Sequence, residues 1–310
     1  MRAAAEELGY VANRAARSLR THRTDTIGLL ISDVRNPFFS ELSYVVEQAA
    51  AEHDIAVITT NADERVERQS DSLRALALQQ VDGLIVVPQG GALDELSDDV
   101  PVVLLDRRVP EVDAPVVYSD NQAGAQLMID HLVELGHTDV ALISGPQAAS
   151  TGRERRTAAI ERLASHGYPP RQECLVEGDF QLASGYRAAV RLLELEPRPS
   201  AVFAGDNLMA FGALQAIRER GLRIGHDIAL VSFDDTEWFP LLDPPMTVIS
   251  QDVRQLGIRA FETLQARLAG QHTQDSCLPV RLAVRRSCGT RRERRGQVHF
   301  DQDSGRGVLK

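Results

Sequence analysis

The residues best suited to chemistry in this chain stand where apolar runs end. "GLLIS" gives way to Asp33-Val34-Arg35-Asn36, "VVLL" to Asp106-Arg107, "AVFA" to Gly205-Asp206-Asn207 and "ALVSF" to Asp234-Asp235. Carboxylates, amides and guanidinium groups gathered in this way can hydrogen-bond a polar ligand from several sides. The competing reading is that Asp and Asn at strand ends only turn the chain and cap the next helix. Any one of them fits either role, and the recurrence favours a common site. Asp234 and Asp235 could form an acid/base pair, but neighbours leaving a strand point in different directions, so a ligand contact is the simpler use. The sequence has no G-x-S-x-G elbow, P-loop, G-x-G-x-x-G, H-E-x-x-H or C-x-x-C. No catalytic residues, cofactor or metal are therefore expected. The eight histidines are scattered, and His53, His137 and His166 fall near helix ends, where capping accounts for them.

A second kind of chemistry is written in "NRAARSLRTHRT", Asn13 to Thr24, which carries Arg14, Arg17, Arg20 and Arg23 at three-residue spacing and no carboxylate. On a helix that spacing drifts slowly round the axis and could hold a broad basic face toward phosphate. A solvated basic linker without a ligand is the plain alternative. The charge balance sharpens the contrast. Residues 1–24 carry five Arg and two Glu, residues 289–310 five Arg, one Lys and three acids, so both ends are +3 and the body is −16 within a net −10. An acidic body is repelled by nucleic acid, and any such contact must be made by a local appendage.

The elements that must position these groups are legible as alternating apolar runs and helical patterns. "TIGLLISD" precedes a helix over 37–53, "IAVITT" one over 64–80, and "DGLIVVP" a short helix and then "PVVLLDR". A second series follows: "PVVYSD" and a helix over 122–135, "DVALIS" and 150–166, "ECLVEG" and 182–195, "SAVFAG" and 207–220, then "IALVSFDD". Repeated βα units of this kind predict parallel sheets with helices on both faces. Gly136, Gly167 and Gly221 stand just past helical runs, where a left-handed C-cap is needed. After "MTVISQD" come a helix over 253–268, a strand-like "LPVRLAVRR" and an aperiodic tail expected to be mobile. At 310 residues, 43% hydrophobic and 25% charged, the chain has the composition of an ordinary globular protein of two lobes. No apolar run spans a bilayer, no signal peptide opens the chain, and three separated cysteines form no disulfide framework. These features predict no membrane partner and a cytoplasmic location. Two open α/β lobes bind ligands in the crevice beyond the carboxyl ends of their strands, where the polar residues lie.

At this point the order of motifs becomes informative. "AAAEELGYVANRAARSLRTHRTDTIGLLISDVRNPFFSEL", followed by "GLIVVP", "PVVLLDR", "HLVELGHTDVALISGP", "STGRERR", "GDFQLASGYRAA", "AVFAGDNLMAFGAL" and "IALVSFDDTEWFPLLDPPMTVISQD", resembles the LacI/GalR family of bacterial transcription regulators up to about Arg286. Single phrases such as "NPFF" are weakly specific, but their ordered recurrence is not. The resemblance implies two doubly wound parallel-sheet subdomains of the periplasmic-binding-protein type, joined by three crossovers. It places a headpiece remnant and hinge helix over 1–24, a first subdomain over 25–119 with 252–278, and a second over 120–251 with 279–288. Residues 289–310 are then a disordered basic tail. It also assigns Asn13, Arg14, Ala16, Arg17, Leu19 and Arg20 to a DNA-binding hinge helix, with Leu19 as a minor-groove wedge. Family members begin with a helix-turn-helix, whereas this sequence opens at what matches the last headpiece helix, so residues 1–12 are expected to be poorly ordered. Operator DNA is expected as a partner where the native protein carries the reading module.

The resemblance further implies an effector site. Arg155 matches the arginine that grips a polar effector group from the second lobe, Asp234 the acid that accepts from effector hydroxyls or ring nitrogens, and Asp106 a strand end facing the same cleft. Phe38, Phe39 and Phe180 match stacking aromatics, each equally compatible with ordinary core. Trp238 could close over an apolar sugar face or belong to a packing loop, and Asn207 could touch ligand or cap its helix. The expected effector is a sugar or related polyol ahead of a purine. A homodimer is expected along the helices over 38–52 and 71–80, since "LSYVVEQAA" is more apolar than one core face requires. The expected role is thus a ligand-responsive repressor of carbohydrate-utilisation genes. The rival from another class is a free sugar-binding protein of the periplasmic type, which would share fold and pocket without touching DNA. An α/β enzyme is a more remote rival.

Overall fold

The computed structural model describes residues 23–90, 93 and 99–289. The six expected hinge residues Asn13, Arg14, Ala16, Arg17, Leu19 and Arg20 lie outside the described residues. So do the headpiece remnant before them, the tail beyond Gly289 and most of the segment expected to form a short helix after "GLIVVP".

The first lobe is built on β1 (Thr26–Ile31), α1 (Pro37–Ala51), β2 (Ala56–Asn61), α2 (Val66–Leu78), β3 (Gly83–Val86), β4 (Val102–Leu105) and β5 (Val116–Ser119). The chain then crosses into the second lobe with α3 (Asn121–Glu134), β6 (Val140–Ser144), α4 (Ser150–Ser165), β7 (Leu175–Glu177), α5 (Leu182–Leu193), β8 (Ala201–Ala204), α6 (Asn207–Glu219), β9 (Ala229–Phe233) and β10 (Thr247–Ser250). It returns as α7 (Val253–Leu268), which packs on α1 and on β3 and β4, and as β11 (Ser276–Leu278), before a third crossing ends in β12 (Arg281–Ala283). The sheets run β11-β5-β4-β3-β1-β2 and β12-β10-β9-β8-β6-β7.

Both sheets are buried on both faces, which is why their strands read as continuous apolar runs rather than alternating ones. Ile27, Leu29 and Ile31 of β1 face a core shared with Leu42 and Val46 of α1 and Phe261 and Leu264 of α7. Leu30, between them, faces Leu73 and Leu76 of α2. In the second lobe Ala141 and Ile143 join the α5 and α6 side, while Val140 and Leu142 join that of α3 and α4. Each fully buried Leu or Ile side chain contributes about 1.5–3 kcal/mol, so the paired cores hold the strand ends in register.

The punctuation read from the sequence has its physical counterpart: Gly136, Gly167 and Gly221 take φ of 88°, 84° and 69°. Gly212 answers a different need. A Cβ there would stand 2.0 Å from the carbonyl oxygen of Leu182, so α5 and α6 touch backbone to backbone. One element differs from expectation. "LPVRLAVRR" is not a single strand but is divided between β11, parallel to β5, and β12, antiparallel to β10. Pro279, which has no amide to donate, follows β11 at the crossing.

Candidate functional site

Between the lobes, beyond the carboxyl ends of the strands, lies a partly open cavity. The first lobe supplies Asn36, Phe38, Phe39, Glu64, Asp106 and Arg107 to it, and the second Thr151, Arg155, Phe180, Asp206, Asp234 and Gln251. Of the residues expected from the sequence, Phe38, Phe39, Asp106, Arg155, Phe180 and Asp234 are brought together here. Asn207 stands beside it, its Nδ2 donating to Asn36 Oδ1 at 2.9 Å across the lobes. Trp238 does not line the cavity. It is 54% exposed and meets Phe211 edge-on at 6.2 Å, because the turn after Asp235 carries it outward onto α6.

Each polar group is held by its element. Arg155 projects from α4; its Nε donates to Asn121 Oδ1 at 2.8 Å, its Nη1 to the Gly205 carbonyl at 2.8 Å, and its guanidinium stacks 3.6 Å above the Phe233 ring. The same Nη1 lies 3.7 Å from Asp234 Oδ2, while Asp234 Oδ1 accepts from Gln251 Nε2. Opposite, Arg107 forms a two-pronged pair with Glu64, at 2.7 and 2.8 Å, and donates to Gln89 Oε1 at 3.0 Å. Its guanidinium sits 5.0 Å from the Phe180 ring of the other lobe. Asp206 and Asn36 show that the two strand-end readings are compatible: Asp206 Oδ1 caps α6 through Met209 N–H and Asn36 Oδ1 caps α1 through Phe38 N–H, yet both line the cavity.

Three features make this the candidate binding site. Of the eight described non-glycine residues with positive φ, four line the cavity: Glu64 (54°), Asp106 (66°), Phe180 (59°) and Asp234 (67°). Such conformations cost about 1–3 kcal/mol each and gather at ligand clamps. Second, Asp106 Oδ1, Arg107 Nε, Asp206 Oδ2, Asn207 Oδ1 and Gln251 Oε1 are buried with no hydrogen-bond partner among the described residues. Unsatisfied buried groups are costly, so their convergence points to hydrogen bonds made to a ligand. Third, the carboxyl groups are tuned by burial. It pushes Asp106 up to about 6, against the pull of Arg107 and Arg155, and Asp206 up to about 7, against the Met209 amide. Asp234 is likewise raised by burial, with Arg155 and Gln251 opposing.

The lobes are clasped around the cavity. Arg108 pairs with Glu154 and donates its backbone N–H to Ser150 Oγ at 2.9 Å. At the other side Gln181 Nε2 donates to Asp33 Oδ2 at 3.0 Å and Gln181 Oε1 accepts from Arg35 at 3.1 Å. Glu64 and Gln251 were not singled out from the sequence; Gln251 directly follows β10 and the strand-end rule applied to every strand would have found it, whereas Glu64 stands three residues beyond β2.

A model of the periplasmic binding protein-like domain matches residues 129–288. The HTH-type transcriptional repressor PurR of Edwardsiella ictaluri (strain 93-146) is 34% identical over 293 residues, covering 92% of this chain and 86% of that protein. The crystal structure of the lac repressor dimer bound to operator and the anti-inducer ONPF superposes with a TM-score of 0.82 at 30% identity, over 93% of this chain and 89% of that one. The chain belongs to the LacI/GalR family of transcriptional regulators. Among its LacI-type neighbours, the transcriptional regulator CelR in complex with cellobiose matches with a TM-score of 0.79 at 31% identity, over 92% of this chain and 89% of that one. The named relatives are regulators, not enzymes.

Proposed function

We propose that this LacI-type protein is a homodimeric, ligand-responsive transcriptional repressor whose effector is a small neutral polyol bound between the lobes in the cytoplasm. The observation that carries this reading is the set of unpartnered acceptors and donors around one cavity between the lobes. A hydroxyl both donates and accepts, so a ring bearing several can satisfy Asp106 Oδ1, Asp206 Oδ2 and Gln251 Oε1 while accepting from Arg107 Nε. Phe38, Phe39 and Phe180 offer the apolar surface that such a ring needs on its faces.

In this reading Asp106, Arg155, Phe180, Asn207 and Asp234 bind the effector, with Phe38 and Phe39 packing beside it and Trp238 left out. The lac repressor neighbour is a dimer on operator DNA, and this chain exposes Tyr44 of α1 and Leu78 of α2, apolar surface on the helices expected to meet a second copy. The hinge assignment of Asn13, Arg14, Ala16, Arg17, Leu19 and Arg20 gives the DNA contact. Effector binding and operator affinity are then coupled reciprocally through lobe closure. Calorimetric titration of the dimer with a panel of neutral aldoses and purine bases tests the reading. One aldose should bind the wild type and lose its affinity in a folded, dimeric Arg155→Ala variant. A purine base as the tight ligand, or unchanged affinity in the variant, would overturn it.

A further inference from the structure

Charged side chains around the cavity divide unevenly: Glu64, Asp106, Asp206 and Asp234 against Arg107 and Arg155. Arg155 is occupied by Asn121, the Gly205 carbonyl and the nearby Asp234. Arg107 is the other cation within reach of a ligand, and its Nε, buried and without a hydrogen-bond partner among the described residues, lines up with the cavity wall beside Phe180. Its charge, however, is matched. Both terminal nitrogens of Arg107 bond both oxygens of Glu64, whose side chain is 10% exposed against 4% for Arg107.

The backbone is shaped to deliver that carboxylate. Asp63 and Glu64 both take φ of 54°, left-handed conformations that no glycine eases, and the Glu64 amide is tied to the Ser32 carbonyl at 3.1 Å. α2 begins only at Val66, so Glu64 is set apart from its helix and turned to the cavity.

We propose that Glu64 determines the charge class of the effector, holding Arg107 as a neutralised pair so that the cavity admits hydroxyl-rich neutral molecules and rejects their acidic or phosphorylated counterparts. This rests on the reading of the cavity as the effector site. Arg107 keeps its directional Nε–H for a ligand oxygen but offers no net charge to an anion, which would instead meet Asp106, Asp206 and Asp234 with Arg155 alone in opposition. Removing the charge of Glu64 while retaining its shape leaves the buried guanidinium only the looser contact of its Nε with Asp106 Oδ2 at 3.8 Å, so an added anion gains a partner and selectivity shifts toward acids.

The test uses the full chain as wild type, Glu64→Gln and the double variant Glu64→Gln/Arg107→Met. Thermal unfolding is followed against inorganic phosphate, and calorimetry compares glucose with glucuronate and hypoxanthine with urate. Phosphate should raise the melting temperature of Glu64→Gln well beyond that of wild type or the double variant; the basic segments common to all three cancel. Wild type should bind the neutral member of a pair, and Glu64→Gln should bind the acidic member about thirtyfold or more tighter than wild type does, the scale set by unpairing a buried charge. Equal phosphate response in all three proteins, or a wild type that prefers glucuronate or urate, overturns the role of Glu64. If wild type takes hypoxanthine and no sugar, the polyol reading fails while the Glu64 inference stands. If it takes glucuronate over glucose, the inference fails, and with it the neutrality of the effector, while the cleft stands as a polyol site.

Discussion

Asp206 carries a buried carboxyl whose titration should be visible in the stability of the whole protein. Its side chain caps α6 and sits in the cavity, and burial raises its pKa to about 7, against about 3.9 in an unfolded chain. Between those values the folded state holds a proton that the unfolded state has released. The contribution is therefore complete below about pH 4 and is lost as pH rises through 7. Each pH unit in that window is worth up to about 1.4 kcal/mol, so the step from pH 5 to pH 7 costs about 2 kcal/mol from this group, and less where water enters the cavity. Asparagine caps a helix as well as aspartate and does not titrate. Asp206→Asn should thus gain about 2–3 kcal/mol relative to wild type between pH 5 and pH 8. Urea unfolding of both proteins at equal concentration, at pH 5, 6, 7 and 8, measures the difference, with Asp106 and Asp234 common to both. A gap that stays constant across this range would refute the placement of Asp206 as a buried carboxyl.

Other perturbations probe separate parts of the structure. A Cβ on Gly145 would lie 2.1 Å from the Phe180 ring, so Gly145→Ala should displace that ring and weaken effector binding by about tenfold while the far-UV circular dichroism is kept. Arg108→Ala removes the partner of Glu154 across the lobes and should open them, seen as a larger radius of gyration in small-angle scattering that effector restores. Gly212→Ala forces α5 and α6 apart at a backbone contact and should cost about 2–3 kcal/mol in denaturation, with no specific effect on ligand affinity once the protein is folded.

Much of this architecture is legible in the sequence because parallel strands buried on both faces leave unbroken apolar runs, and because helix ends demand glycine where φ is positive. The site is legible in part for a related reason: Asp106 and Asp234 directly follow strands, and Asp206 follows one a single glycine later. Glu64 escapes notice because "NADERVERQ" reads as the charged opening of a helix over 64–80. Only the structure shows that α2 starts two residues later and that Glu64 turns inward to Arg107. Trp238 marks the opposite limit. Its type fits a sugar-stacking role, but the direction taken by the turn after β9 is set by packing on Phe211, which no local pattern encodes. The pairing of Arg107 with Phe180 likewise depends on lobe closure, which brings together residues 73 positions apart.

If the cleft is where the effector acts on DNA binding, ligand occupancy must change operator affinity. Fluorescence anisotropy of a genomic operator fragment, recovered with the native protein from its own cells and titrated with the aldose that binds best, measures this directly for wild type and Arg155→Ala. The aldose should shift operator affinity at least about tenfold in wild type and not at all in the variant, with both proteins binding the fragment equally in its absence. An undiminished shift in Arg155→Ala would contradict it.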